Sequence, residues 1–377
     1  MNHKYKLVAL AVSSVLLAGC AKNYDEANVV DVRVIALNDF HGALKAPGPN
    51  KPGGIEHMAT LVKELKKDNP NNIVVAAGDM VGASPLLSSM FHDEPTIEAL
   101  SLAGLEATSV GNHEFDKGMG ELLRKQNGGC HPVTGCQGPT EFKGADFQYL
   151  AANVTVNETG KTLVPEYVIK EFNGIPVAFI GLTLEGTAAI VTPKGTEGLS
   201  FHNEAKTINA LVPKLQAQGV QAIGVLIHEG AAQRRDGGPV NINACNGITG
   251  KVLGVVEQLD PAVDFVVTGH THQAYNCTIN GRSVTSAQSN GAMLTRIDLK
   301  LDKTTKDVVD VEARNIWVDN RKYEKDPAVT KLLEAYEKIA TPLANRIIGK
   351  LEGNLTKQTN DAGESGLGQV IADAHLY

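Results

Sequence analysis

Five apolar runs in this chain read as buried β-strands, and each is followed at once by a residue able to bind a metal or move a proton. VRVIALN (32–38) leads to Asp39, NIVVAAG (72–78) to Asp79 and ATSVG (107–111) to Asn112. QAIGVLI (221–227) leads to His228, and DFVVTG (264–269) leads to His270. Continuous apolar runs mark strands covered on both faces, so helices must pack against them. Ile55, Met58, Leu61, Val62 and Leu65 share one face of a helix over 55–67, and 95–104, 203–218 and 249–259 also have helical spacing. The reading is α/β. Ligands of such folds bind beyond the carboxyl ends of the strands. The five polar strand ends therefore meet on one rim if the strands share a sheet, or face each other in two.

The remaining segments fit the same plan. Residues 165–182 predict a hairpin turning at Asn173-Gly174, and a second hairpin turns at Asn280-Gly281. The stretch 292–318 reads as antiparallel strands, 325–348 as a connecting helix and 363–377 as the start of another amphipathic helix. GLTLEG (181–186) is Gly-rich but lacks the Lys-Ser/Thr pair of a phosphate loop, and it reads as a turn. No Gly-x-Ser-x-Gly elbow occurs, which weakens serine-hydrolase readings.

Composition narrows the partners. Of 377 residues, 35 are basic and 42 acidic, for a net charge of −7. With a pI near 5.9 and no Lys/Arg stripe, the chain is not expected to be a nucleic-acid binder. Hydrophobic residues at 42% suffice for a real core, and the length predicts more than one domain.

The N-terminus reads as an export signal. Lys4 and Lys6 precede an apolar run from Leu7 to Gly19, too short for a bilayer span of about 20 helical residues. Cys20 follows Leu17-Ala18-Gly19 directly, which resembles a bacterial lipoprotein signal and implies lipidation at Cys20. The expectation is an exported, membrane-anchored lipoprotein facing the periplasm or the cell surface, touching the membrane only through that lipid. Loss of residues 1–19 removes Lys4 and Lys6 and takes the charge from −7 to −9. Export permits disulfides. Cys130, Cys136, Cys245 and Cys277 allow three connectivities, of which the local one is Cys130–Cys136 with Cys245–Cys277. Loop-entropy estimates are about 2.4 and about 3.7 kcal/mol for those closures. A Zn site at Cys130, His131 and Cys136 is the rival, and its spacing is not a familiar one.

The strand-end residues have the chemistry of a metal centre. Asp39 and His41 stand two apart, as do His270 and His272, so each pair projects to one side of an extended segment. Asp79, Asn112 and His228 complete a mixed oxygen and nitrogen set that suits Mn, Zn or Fe better than Mg or Ca alone. So many ligands favour two metals, the arrangement that clamps the attacking and leaving oxygens of a displacement at phosphorus. Taken singly, an Asp-x-His is more often a surface pair and a buried His more often a satisfied core residue. The ordered set carries the argument.

That set, ALNDFHG, AAGDMVG, VGNHEFD, LIHEG and VTGHTH, resembles the five blocks of the calcineurin-like metallophosphoesterases. NDFHG, GNHEFD and the tail GESGLGQVIADA resemble, more narrowly, the secreted bacterial 5′-nucleotidase family, which also includes 2′,3′-cyclic nucleotide phosphodiesterases. The resemblance implies an α/β/β/α sandwich with a dimetal centre at the strand ends. It implies two divalent ions, drawn from Zn, Mn, Fe, Co or Mg. Asp39, His41 and His272 would hold one, Asn112, His228 and His270 the other, and Asp79 would bridge. Family members often carry Gln where His272 stands. His113 and Asp116 match the catalytic pair, with Asp116 orienting the ring. The implied reaction is hydrolysis of nucleotides by a hydroxide held on the metals. The alternatives are cyclic nucleotide or general phosphodiester hydrolysis, and a surface lipoprotein with no catalysis.

The resemblance divides the chain into a signal (1–19), a lipidated linker (20–30), the metallophosphoesterase domain (31–322), a linker helix (323–348) and the start of a nucleotide-gripping domain (349–377). That last domain opens in the family with Arg-x-x-Glu-Ser/Asn-x-Leu-Gly. Glu364, Ser365, Leu367 and Gly368 match, the Arg does not, and the domain is expected to be cut short.

Overall fold

A computed structural model of the chain describes residues 24–234 and 237–376; the signal segment and Cys20 lie outside them. The chain divides between Tyr336 and Glu337 into two compact units.

The first unit is built on two six-stranded sheets. One runs, in spatial order, Val308–Trp317, Met293–Asp302, Val29–Leu37, Asn72–Ala77, Ala107–Ser109 and Gln148–Leu150. The other runs Ala274–Ile279, Arg282–Ala287, Phe265–Thr268, Ala222–His228, Ile175–Thr183 and Tyr167–Phe172. The central pairings are parallel in both, and the flanking strands are antiparallel.

Side-chain alternation explains the layering. Val30, Val32, Val34 and Ala36 face one way and meet Val177, Phe179, Leu226 and Phe265 of the other sheet in a shared core. Ile35 and Leu37 face the other way and pack with Met58, Leu61 and Val62 of helix Ile55–Lys67. The second sheet does the same with Ile180, Ile223 and Val225 against Ile208, Leu211 and Leu215 of helix Glu204–Ala217. Both faces of both sheets are covered, which is why the strands read as unbroken apolar runs. The result is an α/β/β/α sandwich.

Both hairpins turn where the sequence places them. Asn173 and Gly174 have φ of 50° and 83°, and Asn280 and Gly281 have 48° and 79°, the left-handed pairs such turns require. GLTLEG departs from its reading as a turn, because Gly181 to Thr183 still belong to strand Ile175–Thr183. Gly181 sits where the two sheets approach most closely. A Cβ there would fall 2.2 Å from Leu150 Cβ and 2.8 Å from the Leu150 carbonyl oxygen.

In the second unit, helix Gly366–Leu376 follows a turn in which the Asn360 side chain accepts from the backbone N–H groups of Ala362 and Glu364. Among the described residues no helix is long and apolar enough to cross a membrane.

Candidate metal centre

The parallel strands of both sheets end on the same edge, and the polar residues after them curl inward. Asp39, His41, Asp79, His270 and His272 all have left-handed backbone, with φ between 49° and 69°. That conformation costs a non-Gly residue on the order of 1–3 kcal/mol and persists only where neighbours hold it. Here they do. The N–H groups of Asp39 and His41 donate to the carbonyls of Gly78 and Asp79 at 3.0 Å, and the Asp39 carbonyl accepts from Asn290 at 2.7 Å. The His270 N–H donates to Asp39 Oδ1 at 3.0 Å, and the His113 N–H to Asp79 Oδ1 at 2.9 Å. Gly111 must lack a side chain, since a Cβ would fall 2.2 Å from Asp79 Oδ1.

The donors converge in three overlapping groups: Asp39, His41 and His272; His41, Asp79 and His113; and Asp79, His228 and His270. Asp79 Oδ2 lies 2.9 Å from His228 Nε2 and 3.8 Å from His41 Nε2. Asp39 Oδ1 lies 3.4 Å from His272 Nε2. Asn112 Oδ1 lies 3.2 Å from His228 Nε2, which brings the amide to the same cluster. All seven strand-end residues singled out from the sequence thus meet at one edge.

Two histidines have their tautomers set by backbone. His41 Nδ1 donates to the Gly82 carbonyl at 2.9 Å, and His228 Nδ1 donates to the Ala77 carbonyl at 2.8 Å. Each Nε2 therefore points into the cluster, as a ligand nitrogen must. His41 Nε2 meets His272 Nε2 at only 2.9 Å, a convergence of ring nitrogens that a shared cation relieves. Burial holds the His41 and His270 rings below the ordinary imidazole range, so they stay neutral. Burial also opposes a proton on His228, but the Asp79 carboxylate outweighs it and pushes that ring up to about 10. A divalent cation between the two takes the place of that proton. The residues present fit a pair of divalent ions.

His113 stands beside this cluster, with its ring 5.1 Å from that of His41. Its Nδ1 lies 2.8 Å from Asp116 Oδ2, and that hydrogen bond, against the effect of burial, raises the ring to about 9. The two residues are three apart on the short 3-10 turn His113–Phe115, which places both side chains on one side.

Two supporting residues escape a reading of the sequence. Glu114 is fully buried and accepts from the N–H groups of Gly111, Met80 and Asp79 at 2.6, 2.7 and 3.0 Å. Burial and the Asp79 charge push its carboxyl up to about 7. Asn38 donates to Asp39 Oδ2 and to the Gln288 carbonyl, both at 2.6 Å, while its Oδ1 accepts from the Ala287 N–H. Both sit inside quoted motifs, but their partners are backbone groups that no spacing reveals. Away from the centre, Cys130 is bonded to Cys136 and Cys245 to Cys277.

Residues 32–274 match the family described as calcineurin-like phosphoesterase. The endonuclease YhcR of Bacillus subtilis is 34% identical over 354 residues, which are 91% of this chain and 28% of that protein. A 5′-nucleotidase of Vibrio vulnificus is 24% identical over 425 residues, 98% of this chain and 71% of its own length. The crystal structure of a 5′-nucleotidase precursor from Thermus thermophilus shares the fold, with a TM-score of 0.68 at 22% identity over 92% of this chain and 66% of that one.

Substitution Glu114→Gln sets an amide NH2 against backbone N–H groups of the Asp79 loop. It is expected to lower stability by about 1–3 kcal/mol in urea unfolding, and an unchanged midpoint would show that Glu114 does not anchor that loop.

Proposed function

The chain belongs to the calcineurin-like phosphoesterases and is a phosphoric ester hydrolase, and from that premise we propose that it releases phosphate from nucleotides at a two-metal centre. The observation that carries this reading is the overlap of the donor groups at Asp79, which two cations can share. Asp39, His41 and His272 would hold one ion, and Asn112, His228 and His270 the other. The mix of imidazole and oxygen donors favours Zn, Mn or Fe, with Co and Mg as further occupants. When bound, such a pair supplies a nucleophile at neutral pH and neutralises charge developing on the phosphoryl oxygens.

The chain's own contribution is a proton and its placement. His113 keeps its proton through neutral pH, so it donates to the departing alkoxide. Asp116 fixes the ring by taking the Nδ1 proton, which leaves Nε2 to face the ester. The 5′-nucleotidase relative supports a nucleotide monoester as substrate. Phosphodiester hydrolysis is the second reading, and the endonuclease relative favours it. The N-terminal Lys4, Lys6 and Leu17-Ala18-Gly19-Cys20 support export and lipid anchoring.

Three outcomes test these statements. The protein loaded with Mn or Zn should release phosphate from AMP faster than it cleaves a bis-aryl phosphodiester. Chelator should abolish that turnover, and Asp79→Asn should lose both metals by elemental analysis. Diester cleavage without AMP turnover would favour the second reading, and full metal content in Asp79→Asn would refute the bridge. Asp116→Asn removes the partner that raises His113, so the ring gives up its proton at lower pH. The alkaline limb of the kcat–pH profile should move to lower pH, with kcat at neutral pH down roughly 10–100-fold. An unshifted limb would rule His113 out as the acid. Mass spectrometry of the mature N-terminal peptide should find acylated Cys20, and an unmodified Cys20 would refute the anchor.

A further inference from the structure

The reading above leaves the leaving group without a seat, and one cavity of about 660 Å³ opens beside His113 and Asp116. We propose that this cavity is a leaving-group subsite for a planar heteroaromatic ring, a nucleobase stacked on the His92–His131 pair. The proposal rests on the hydrolytic reading. There, water supplies oxygen to phosphorus, the P–O bond to the alcohol breaks, and His113 passes its proton to that departing oxygen. The alcohol portion therefore lies on the His113 side, where the cavity begins.

The far wall of the cavity is built to receive a flat ring. The imidazoles of His92 and His131 stack with centroids 3.9 Å apart and planes within 4°. Both are held by one short loop. His131 lies inside the ring closed by Cys130–Cys136, and His92 Nε2 meets Thr134 Oγ1 of the same loop at 2.8 Å. Burial, with His131 as neighbour, keeps the His92 ring below the ordinary imidazole range, so a neutral face is offered for stacking.

The walls also carry polar atoms that the protein leaves unused. Ser84 Oγ and Asp93 Oδ1 are buried without a hydrogen-bond partner, one a donor and acceptor and the other an acceptor. Lys125, only 4% exposed, lines the same space and has Glu121 Oε1 at 3.5 Å, while Arg124 takes both oxygens of Glu121 at 2.8 Å. Asp93 precedes helix Glu94–Leu102 at the capping position, yet its side chain makes no cap. His92 and Asp93 both have left-handed backbone, with φ of 53° and 65°. Local strain and a forgone cap are the marks of residues held for a ligand rather than for the helix. Asp93, Asp116 and Glu121 offset Lys117 and Lys125, so the cavity is not a cationic well for a second phosphate. A nucleobase offers what it lacks: a π-face for the imidazoles and edge donors and acceptors for Ser84, Asp93 and Lys125.

Calorimetry with adenosine, and with ribose as control, tests this on the whole chain without turnover. Adenosine should bind, ribose should not, and His92→Ala and His131→Ala should each weaken adenosine about tenfold or more. His131→Phe keeps a flat ring and should retain binding, which separates lost stacking from a disturbed loop. No adenosine binding by the unaltered protein, or equal binding by both Ala variants, overturns the subsite. In kinetics, the ratio of kcat/KM for AMP over glycerol 2-phosphate should fall about tenfold in both Ala variants through a rise in KM for AMP. AMP turnover with KM unmoved by either variant overturns the subsite and leaves the hydrolase reading intact. Adenosine binding lost in the variants, with no AMP turnover in the unaltered protein, supports the subsite and refutes the nucleotidase reading.

Discussion

The two sheets are stitched together at one edge by the same side chains that form the metal centre. His228, at the end of a strand of one sheet, donates to the carbonyl of Ala77 in the other. Asp39 accepts from the N–H of His270 across the same divide, and Asn38 links Asp39 to Ala287 and Gln288. Thr183 Oγ1 donates to the Val110 carbonyl at 2.5 Å. The body of the interface is apolar and non-directional, so it does not by itself set the register of one sheet against the other. These polar contacts do, because a buried donor or acceptor left unmet costs about 1–3 kcal/mol. Position of the sheets and position of the donors are therefore one constraint.

Charge burial follows from that constraint. The Asp39 and Asp79 side chains are at most 2% exposed, and carboxylates so placed are unfavourable unless paired. Asp79 faces His228, His41 and the His113 N–H, which together hold its carboxyl down at about 2 despite burial. Protons on imidazoles balance the carboxylates in the protein itself, and divalent cations balance them better, since each brings two charges to the same point. Metal binding and folding are thereby linked, with proton release as the exchange between them. His272 is the exception, with its side chain 46% exposed. It stands at the mouth of the centre, where an incoming ester first meets it.

What the sequence makes legible follows from where the information lies. Strands covered on both faces announce themselves as apolar runs, and in an α/β fold the residues after them share one edge. Hence Asp39, Asp79, Asn112, His228 and His270 are readable as a set. The left-handed backbone at five of the ligating positions is not readable, because Asp and His carry no signal for it and only tertiary hydrogen bonds support it. Asn38 and Glu114 act on backbone groups, so no pairing of side-chain types betrays them. Helix Met119–Asn127 hides because Glu121, Arg124 and Lys125 are buried by pairing with one another and with Glu94, where periodicity looks for apolar residues.

The same distinction separates chemistry from selectivity. The metal donors are carried by strand ends and held by backbone, so their geometry is common to any ester the centre can reach. The groups that surround the alcohol portion belong to the loop closed by Cys130–Cys136, to the turn before helix Glu94–Leu102 and to that polar helix. None of these contributes to the inter-sheet core. A change there alters what fits beside His113 without moving Asp79 or its partners. Relatives with this edge can therefore differ in substrate while keeping the centre, and an endonuclease and a nucleotidase can both resemble this chain. The disulfide is the economical part of that arrangement: a loop of turn-forming residues with almost no core of its own keeps His131 parallel to His92 because Cys130 and Cys136 close it.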